Sequence, residues 1–142
     1  MTPPILDALF RLWNHPLPAD DAEAQAAVRA VYTDPVTMNG LSFGLGQLVG
    51  LARSAQATYG DVERQILDVA ESDGKLAFAL ILRRRHVGPL RTVLGTVPAS
   101  GRRIEMWIID VLTLVDGRIT NVWMTADELG VLASIDAITL VA

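Results

Sequence analysis

The sequence predicts an α+β fold, a curved antiparallel sheet with N-terminal helices packed on its inner face. Two observations carry the expectation. Through about residue 58, apolar side chains recur three and four apart, the period of helices with one buried face. From Val62 onward the pattern changes to long strand-like runs separated by turn residues. Helices first and strands later is the order of an α+β chain, not of alternating βαβ units. At 142 residues the chain is long enough for one domain with one core, so residues 1–142 are expected to form a single domain.

Each element has its own justification. Thr2-Pro3 reads as a helix start, with proline at the first helical position, where a missing N–H costs nothing. Ile5, Leu6, Leu9, Leu12 and Trp13 then share a face, and the segment Asn14 to Pro18 breaks the helix. Asp20, with Glu23 three residues on, opens an alanine-rich second helix expected to reach about Tyr32. Asp34-Pro35 ends it, and Val36 to Met38 is a short strand before the Asn39-Gly40 turn. A third helix spans about Leu45 to Thr58, with Leu45, Leu48, Val49, Ala52 and Ala55 on one side. Gly44, Gly46 and Gly50 match neither a dinucleotide fingerprint nor a P-loop, and are read as loop and packing glycines.

Long strands follow at Val62–Glu71, Lys75–Val87 and Arg103–Val115, making a meander. A Gly- and Pro-containing connection spans Gly88–Gly101. The Asp116-Gly117 turn leads into a further strand, Ile119–Met124. Thr125 with Glu128 has the spacing of a capping box and predicts a short helix after it. Residues 135–142 are apolar and suit either a strand or a docking tail.

Composition excludes several function classes. A net charge of −4 argues against a nucleic-acid surface. With no cysteine there is neither a disulfide nor a thiolate ligand, and two histidines leave little for an imidazole metal centre. The longest apolar run, Leu76 to Leu82, is too short to span a bilayer, and the start lacks the basic region of a secretory signal. A cytoplasmic protein with no membrane partner is the expectation.

The candidate chemistry lies in a few side chains. Asp127, at the junction of the last strand and the short helix, places a carboxylate at the mouth of whatever the sheet encloses. It is read either as a general base or as an acid favoured by the helix dipole. Asp110 shares a strand face with Met106, Ile108, Leu112 and Leu114. There it is a second pocket acid, an orienter for His86, or the partner of Arg83, Arg84 or Arg85. His86 alternates with Leu80, Leu82 and Arg84 and is either an oxyanion donor or a satisfied rim residue. Asn39 and Trp123 are candidates to hydrogen-bond or stack on a ligand, with core filling the alternative for Trp123, and Tyr59 is expected to pack near the pocket mouth. The Arg83–Arg85 trio reads as the solvated end of a strand.

Several short segments, in order, resemble the SnoaL-like polyketide (ester) cyclases of the nuclear transport factor 2-like superfamily. They are Tyr32–Gly40, Tyr59–Val62, Arg85–Gly88, Gly101–Arg103, Asp116–Ile119 through Trp123, and then Asp127, Leu129 and Leu132. The resemblance implies a cone-shaped fold with a deep apolar pocket for a hydrophobic ligand, and a homodimer packed through the sheet. It also implies intramolecular aldol chemistry with no metal or organic cofactor. Asp127 matches the family's acid/base aspartate, and the family tends to keep a histidine at position 86. Two departures stand out. Asn121-Val122-Trp123 occupies the place of a frequent Glu-His-Trp, and Pro98-Ala99-Ser100-Gly101 replaces a Pro-Thr-Gly turn.

Two expectations follow. One is an enzyme in which Asp127 removes a proton next to a carbonyl while His86 or Asn39 holds the enolate. Isomerase chemistry using Tyr32 or Asp34, or epoxide hydrolysis using Asp110 and Asp127, is the related alternative. The other is a non-catalytic ligand-binding or scaffold module of the same fold.

Overall fold

A computed structural model describes residues 2–141. Three helices, α1 (Pro4–Asn14), α2 (Asp21–Arg29) and α3 (Leu45–Thr58), precede or interleave two strands, β1 (Tyr32–Met38) and β2 (Leu41–Phe43). Then come β3 (Tyr59–Ser72), β4 (Lys75–His86), a small hairpin of β5 (Leu90–Thr92) and β6 (Gly95–Val97), β7 (Arg103–Val115), β8 (Arg118–Ala126) and α4 (Glu128–Ser134). The main sheet has the order β2-β1-β8-β7-β4-β3. Its β3, β4, β7 and β8 pair antiparallel as the expected meander, whereas β1 runs parallel to β8.

Strand alternation decides which face is buried. On β7, Ile104, Ile108, Asp110 and Leu112 turn inward, while Trp107, Ile109 and Val111 turn outward and are exposed. On β4, Leu76, Phe78, Leu82, Arg84 and His86 share the inner face. The larger core joins Leu6 and Leu12 of α1, Val28 of α2 and Leu48 of α3 to Phe78, Leu112, Ile119 and Val122 of the sheet. Each fully buried Leu or Ile there contributes about 1.5–3 kcal/mol. A smaller cluster seals the other end of the inner face: Val131 and Ile135 against Ile104, with Tyr59 and Met106 packed alongside. Arg64 clips β3 to α1, pairing with Asp7, donating to the Leu6 carbonyl at 2.9 Å and lying over the Phe10 ring.

Several boundaries differ from expectation for physical reasons. Pro3 occupies the cap position of α1 without a side-chain bond, so Thr2 is not the cap. The second helix stops at Arg29, because Tyr32 already belongs to β1, opposite Ile119. Asp34-Pro35 lies inside β1, at a break in its register with β8 where proline's missing N–H is tolerated. Thr125 stays in β8, paired with Ile109, so the helix-starting role passes from Thr125 to Asp127. The 88–101 connection contains the β5–β6 hairpin. Residues 135–141 form no strand; Ile135 is buried, and residue 142 lies outside the described residues.

Candidate functional site

The end of β8 carries Asp127 directly into α4. Its backbone N–H donates to the Trp107 carbonyl at 3.0 Å, one step beyond the Ile108–Ala126 pair, so the β7 ladder fixes the point where the chain leaves the sheet. The carboxylate then curls over the first turn of α4, and Oδ1 accepts the Gly130 N–H at 2.9 Å. A Cβ at Gly130 would stand 2.3 Å from the Asp127 Oδ2, so a larger residue there would push the carboxylate aside. Asp127 is exposed, and both readings of the sequence meet in it, a helix cap and an available carboxylate.

Beside α4, three side chains meet on the inner face. His86 has no exposed surface. Its Nδ1 lies 2.9 Å from Ser100 Oγ and accepts the Ser100 N–H at 3.1 Å. An amide N–H can only donate, so the ring carries its proton on Nε2, and that buried nitrogen has no partner among the described residues. Tyr59, opposite His86 across β3–β4, sits with its ring centre 6.2 Å from the imidazole. Burial raises the Tyr59 pKa, the Arg84 charge lowers it, and the Glu128 charge raises it. The Arg84 guanidinium stacks on the Tyr59 ring, 3.6 Å from its centroid.

Arg84 is the residue the sequence reading missed. The Arg83–Arg85 trio is not a solvated strand end. Arg83 and Arg85 point outward and pair with Glu105 (2.9 Å) and Asp61 (3.5 Å), whereas Arg84 is only 6% exposed. Among the described residues it has no carboxylate partner; Nη2 reaches Met106 Sδ at 3.6 Å, and Nε is buried without an acceptor. Burial lowers its pKa, partly offset by Tyr59. The signal was present in the alternation Leu80, Leu82, Arg84, His86, which puts this arginine among inward residues.

Asp110 stands apart. It pairs with Phe78 across β4 and with Met124 across β8. His86 is eight positions beyond Phe78 on β4, about 26 Å at strand spacing, so Asp110 does not orient the imidazole. Among the described residues it forms no ion pair either, which corrects the expected bridge to Arg83, Arg84 or Arg85. Its Oδ1 is buried without a partner, and desolvation pushes its pKa from 3.8 to about 7. The Tyr32 hydroxyl accepts from Trp13 Nε1 at 2.8 Å; burial raises the Tyr32 pKa, and the Asp110 charge adds to that rise.

Asn39 and Trp123 are not brought to this face. Asn39, at a positive φ of 50°, clamps the end of β1 to β8: its side chain accepts the Met124 N–H at 2.9 Å and donates to the Met124 carbonyl at 3.2 Å. Trp123 pairs with Val111 and lies on the outer face, 55% exposed, rather than beside Asp127 or in the core. Two cavities open elsewhere. One of about 130 Å³ lies between the β5–β6 hairpin and Leu132, Ala137 and Ile138. The other, about 180 Å³, is a trough beside Ala70, Ala77 and Ile109. Among the described residues, no group of three or more His, Cys, Asp or Glu could hold a metal ion, and no helix is long and apolar enough to cross a membrane.

A family model described as SnoaL-like polyketide cyclase matches residues 5–135. Among curated proteins, none matches the chain. Solved structures similar to it include TsrD from Streptomyces laurentii, with a TM-score of 0.75 and 20% identity over 94% of this chain and 93% of that one. A SnoaL-like polyketide cyclase from Agrobacterium tumefaciens follows with a TM-score of 0.69 and 18% identity, covering 92% of this chain and 93% of the other. A Catenulispora acidiphila protein with a ketosteroid isomerase-like fold, in complex with trimethylamine, gives 0.70 and 14% over 97% and 96%. These likenesses establish the nuclear transport factor 2-like fold.

Proposed function

The chain belongs to the SnoaL-like polyketide cyclase family, and we propose from that premise that it is a cofactor-free acid/base enzyme acting on a hydrophobic carbonyl compound. Asp127 takes a proton from the carbon next to the carbonyl, the resulting enolate attacks a second carbonyl of the same molecule, and the new alkoxide is protonated as the ring closes. No electron acceptor is needed, since the step is an addition. A donor aimed at the enolate oxygen lowers the barrier more than one that serves the ground state. The His86 Nε2–H, buried, fixed in its tautomer by Ser100 and lacking an acceptor, is the observation that carries this reading. The raised pKa of Asp110 supports a second reading, in which that carboxyl moves the proton from deeper in the fold.

A homodimer is part of the proposal. Trp107, Ile109 and Trp123 are each more than half exposed on the outer face, with Val111 between them, and a second copy of the same sheet would cover them.

The test is hydrogen exchange in deuterated water on aromatic and polyketide β-keto esters, followed by mass spectrometry. Asn is the fair replacement at Asp127, because its side-chain oxygen preserves the helix cap that Ala would remove. Deuterium uptake above buffer, lost in Asp127→Asn with ligand affinity retained, supports the assignment. Loss in Asp110→Asn instead transfers the role to Asp110. Binding with no exchange by any of the three proteins refutes the enzyme and leaves a ligand-binding module.

A further inference from the structure

We propose that Arg84, beside His86, is the receptor for one negative charge, and that the ligand of the inner face carries a carboxylate. The proposal rests on the reading of that face as a small-molecule site, but not on any particular reaction.

The two residues occupy alternate positions of β4 on the same side of the sheet, a spacing of about 7 Å. Each presents a buried N–H without an acceptor, Nε of Arg84 and Nε2 of His86. Such donors are rare in folded proteins and call for an explanation. The contrast with the paired arginines is sharp. Arg53, Arg64, Arg83, Arg85, Arg102 and Arg103 all have carboxylate partners and lie nearer the surface, whereas Arg84, more buried than any of them, has none among the described residues. A guanidinium held out of water is stable only with a counter-charge and satisfied hydrogen bonds. Tyr59 and Met106 supply a π face and a weak sulfur acceptor, but no negative charge. Glu128 acts on Tyr59 through its charge and makes no ion pair with Arg84.

The charge balance selects the ligand class. One guanidinium matches a monoanion whose two oxygens each accept an N–H from it. A phosphate dianion would leave a charge uncompensated, and an ester would leave the guanidinium unneutralised. Ile104, Val131, Met106 and the Tyr59 ring make the surroundings apolar, so the carboxylate belongs to a hydrophobic body. Entry requires α4 to move off this cluster, which a seven-residue helix holding Val131 and Leu132 can do at modest cost.

The experiment compares 2-naphthoate with its methyl ester by calorimetry at neutral pH, on the full chain and on Arg84→Gln and Arg84→Lys. The acid should bind the wild type at least tenfold more tightly than the ester. That preference should vanish in Arg84→Gln and return in part with lysine. Equal affinities for acid and ester overturn the Arg84 assignment while leaving the inner-face site and the Asp127 chemistry standing. Binding of neither compound overturns both. Should Arg84→Gln fail to fold, the Arg84 Nε–H resonance of the wild type decides the matter. A shift with naphthoate and none with the ester supports the proposal, and no shift refutes it.

Discussion

Replacing Asp110 with asparagine isolates the cost of holding a lone carboxylate inside the sheet. Desolvation moves its pKa from 3.8 to about 7, and at about 1.4 kcal/mol per decade the ionised form costs the native state about 4 kcal/mol. Water entry on ionisation reduces the observable part to about 2–4 kcal/mol. The sign is fixed by proton counts. The native state holds the Asp110 proton more tightly than the unfolded chain does, so it binds more protons across the interval from pH 4 to 7. The Asp110 contribution to stability is therefore intact below pH 4, falls as pH rises through that interval, and is constant above it. Asparagine does not titrate, so the variant loses this fall, while the other carboxylates affect both proteins alike. Urea unfolding followed by tryptophan fluorescence at several pH values between 4 and 9 reads the difference. With a slope of about 2 kcal/mol per molar urea, the variant's midpoint should gain about 1–2 M on the wild type between the two ends. Parallel profiles would refute the reasoning. A variant that loses ground as pH rises would show instead an ionised Asp110 stabilised by a cation.

Two further outcomes are expected. Gly88→Ala would put a Cβ 2.1 Å from the Ala57 carbonyl oxygen, a backbone atom that cannot step aside, and should cost about 3 kcal/mol, a fall in Tm of about 10 °C; an unchanged thermal melt would contradict the close approach of that loop to α3. Trp107→Glu on the outer face should turn a dimer into a monomer in sedimentation at micromolar concentration, with the melt of the monomer little altered because the side chain is already exposed; a wild type that sediments as a monomer rejects the sheet-to-sheet assembly.

The long antiparallel strands and α3 were legible because their signals are local. Leu45–Thr58 and Arg103–Val115 have the same limits in the sequence reading and in the structure. What escaped depends on distant partners. Tyr32 to Pro35 carries helix-ending and turn residues, and becomes strand only because β8 lies beside it. The placement of Trp123 turns on the register step between Thr113 and Leu114, which shifts alternation across the β7–β8 hairpin. Asp127 stands out in the sequence by its position at a strand–helix junction, and His86 by alternation. Arg84 obeyed the same alternation, yet its two charged neighbours made the run look like surface. The pairing of Asp110 was misjudged because strand periodicity gives a face but not a distance along it.

The parallel pairing of the first and last strands has a consequence for synthesis. Thr33 Oγ1 donates to the carbonyl of Ile119, 86 residues later in the chain. On a ribosome adding 5–20 residues each second, β1 waits roughly 4–17 s for its only long neighbour. Throughout that interval Val28, Val36 and Leu48 lack Ile119 and Val122, the side chains that complete their core. The N-terminal third of the nascent chain is thus a sticky intermediate by construction. A chaperone that clasps apolar helices early and releases them after β8 emerges would raise the yield of this protein more than one acting on the finished chain.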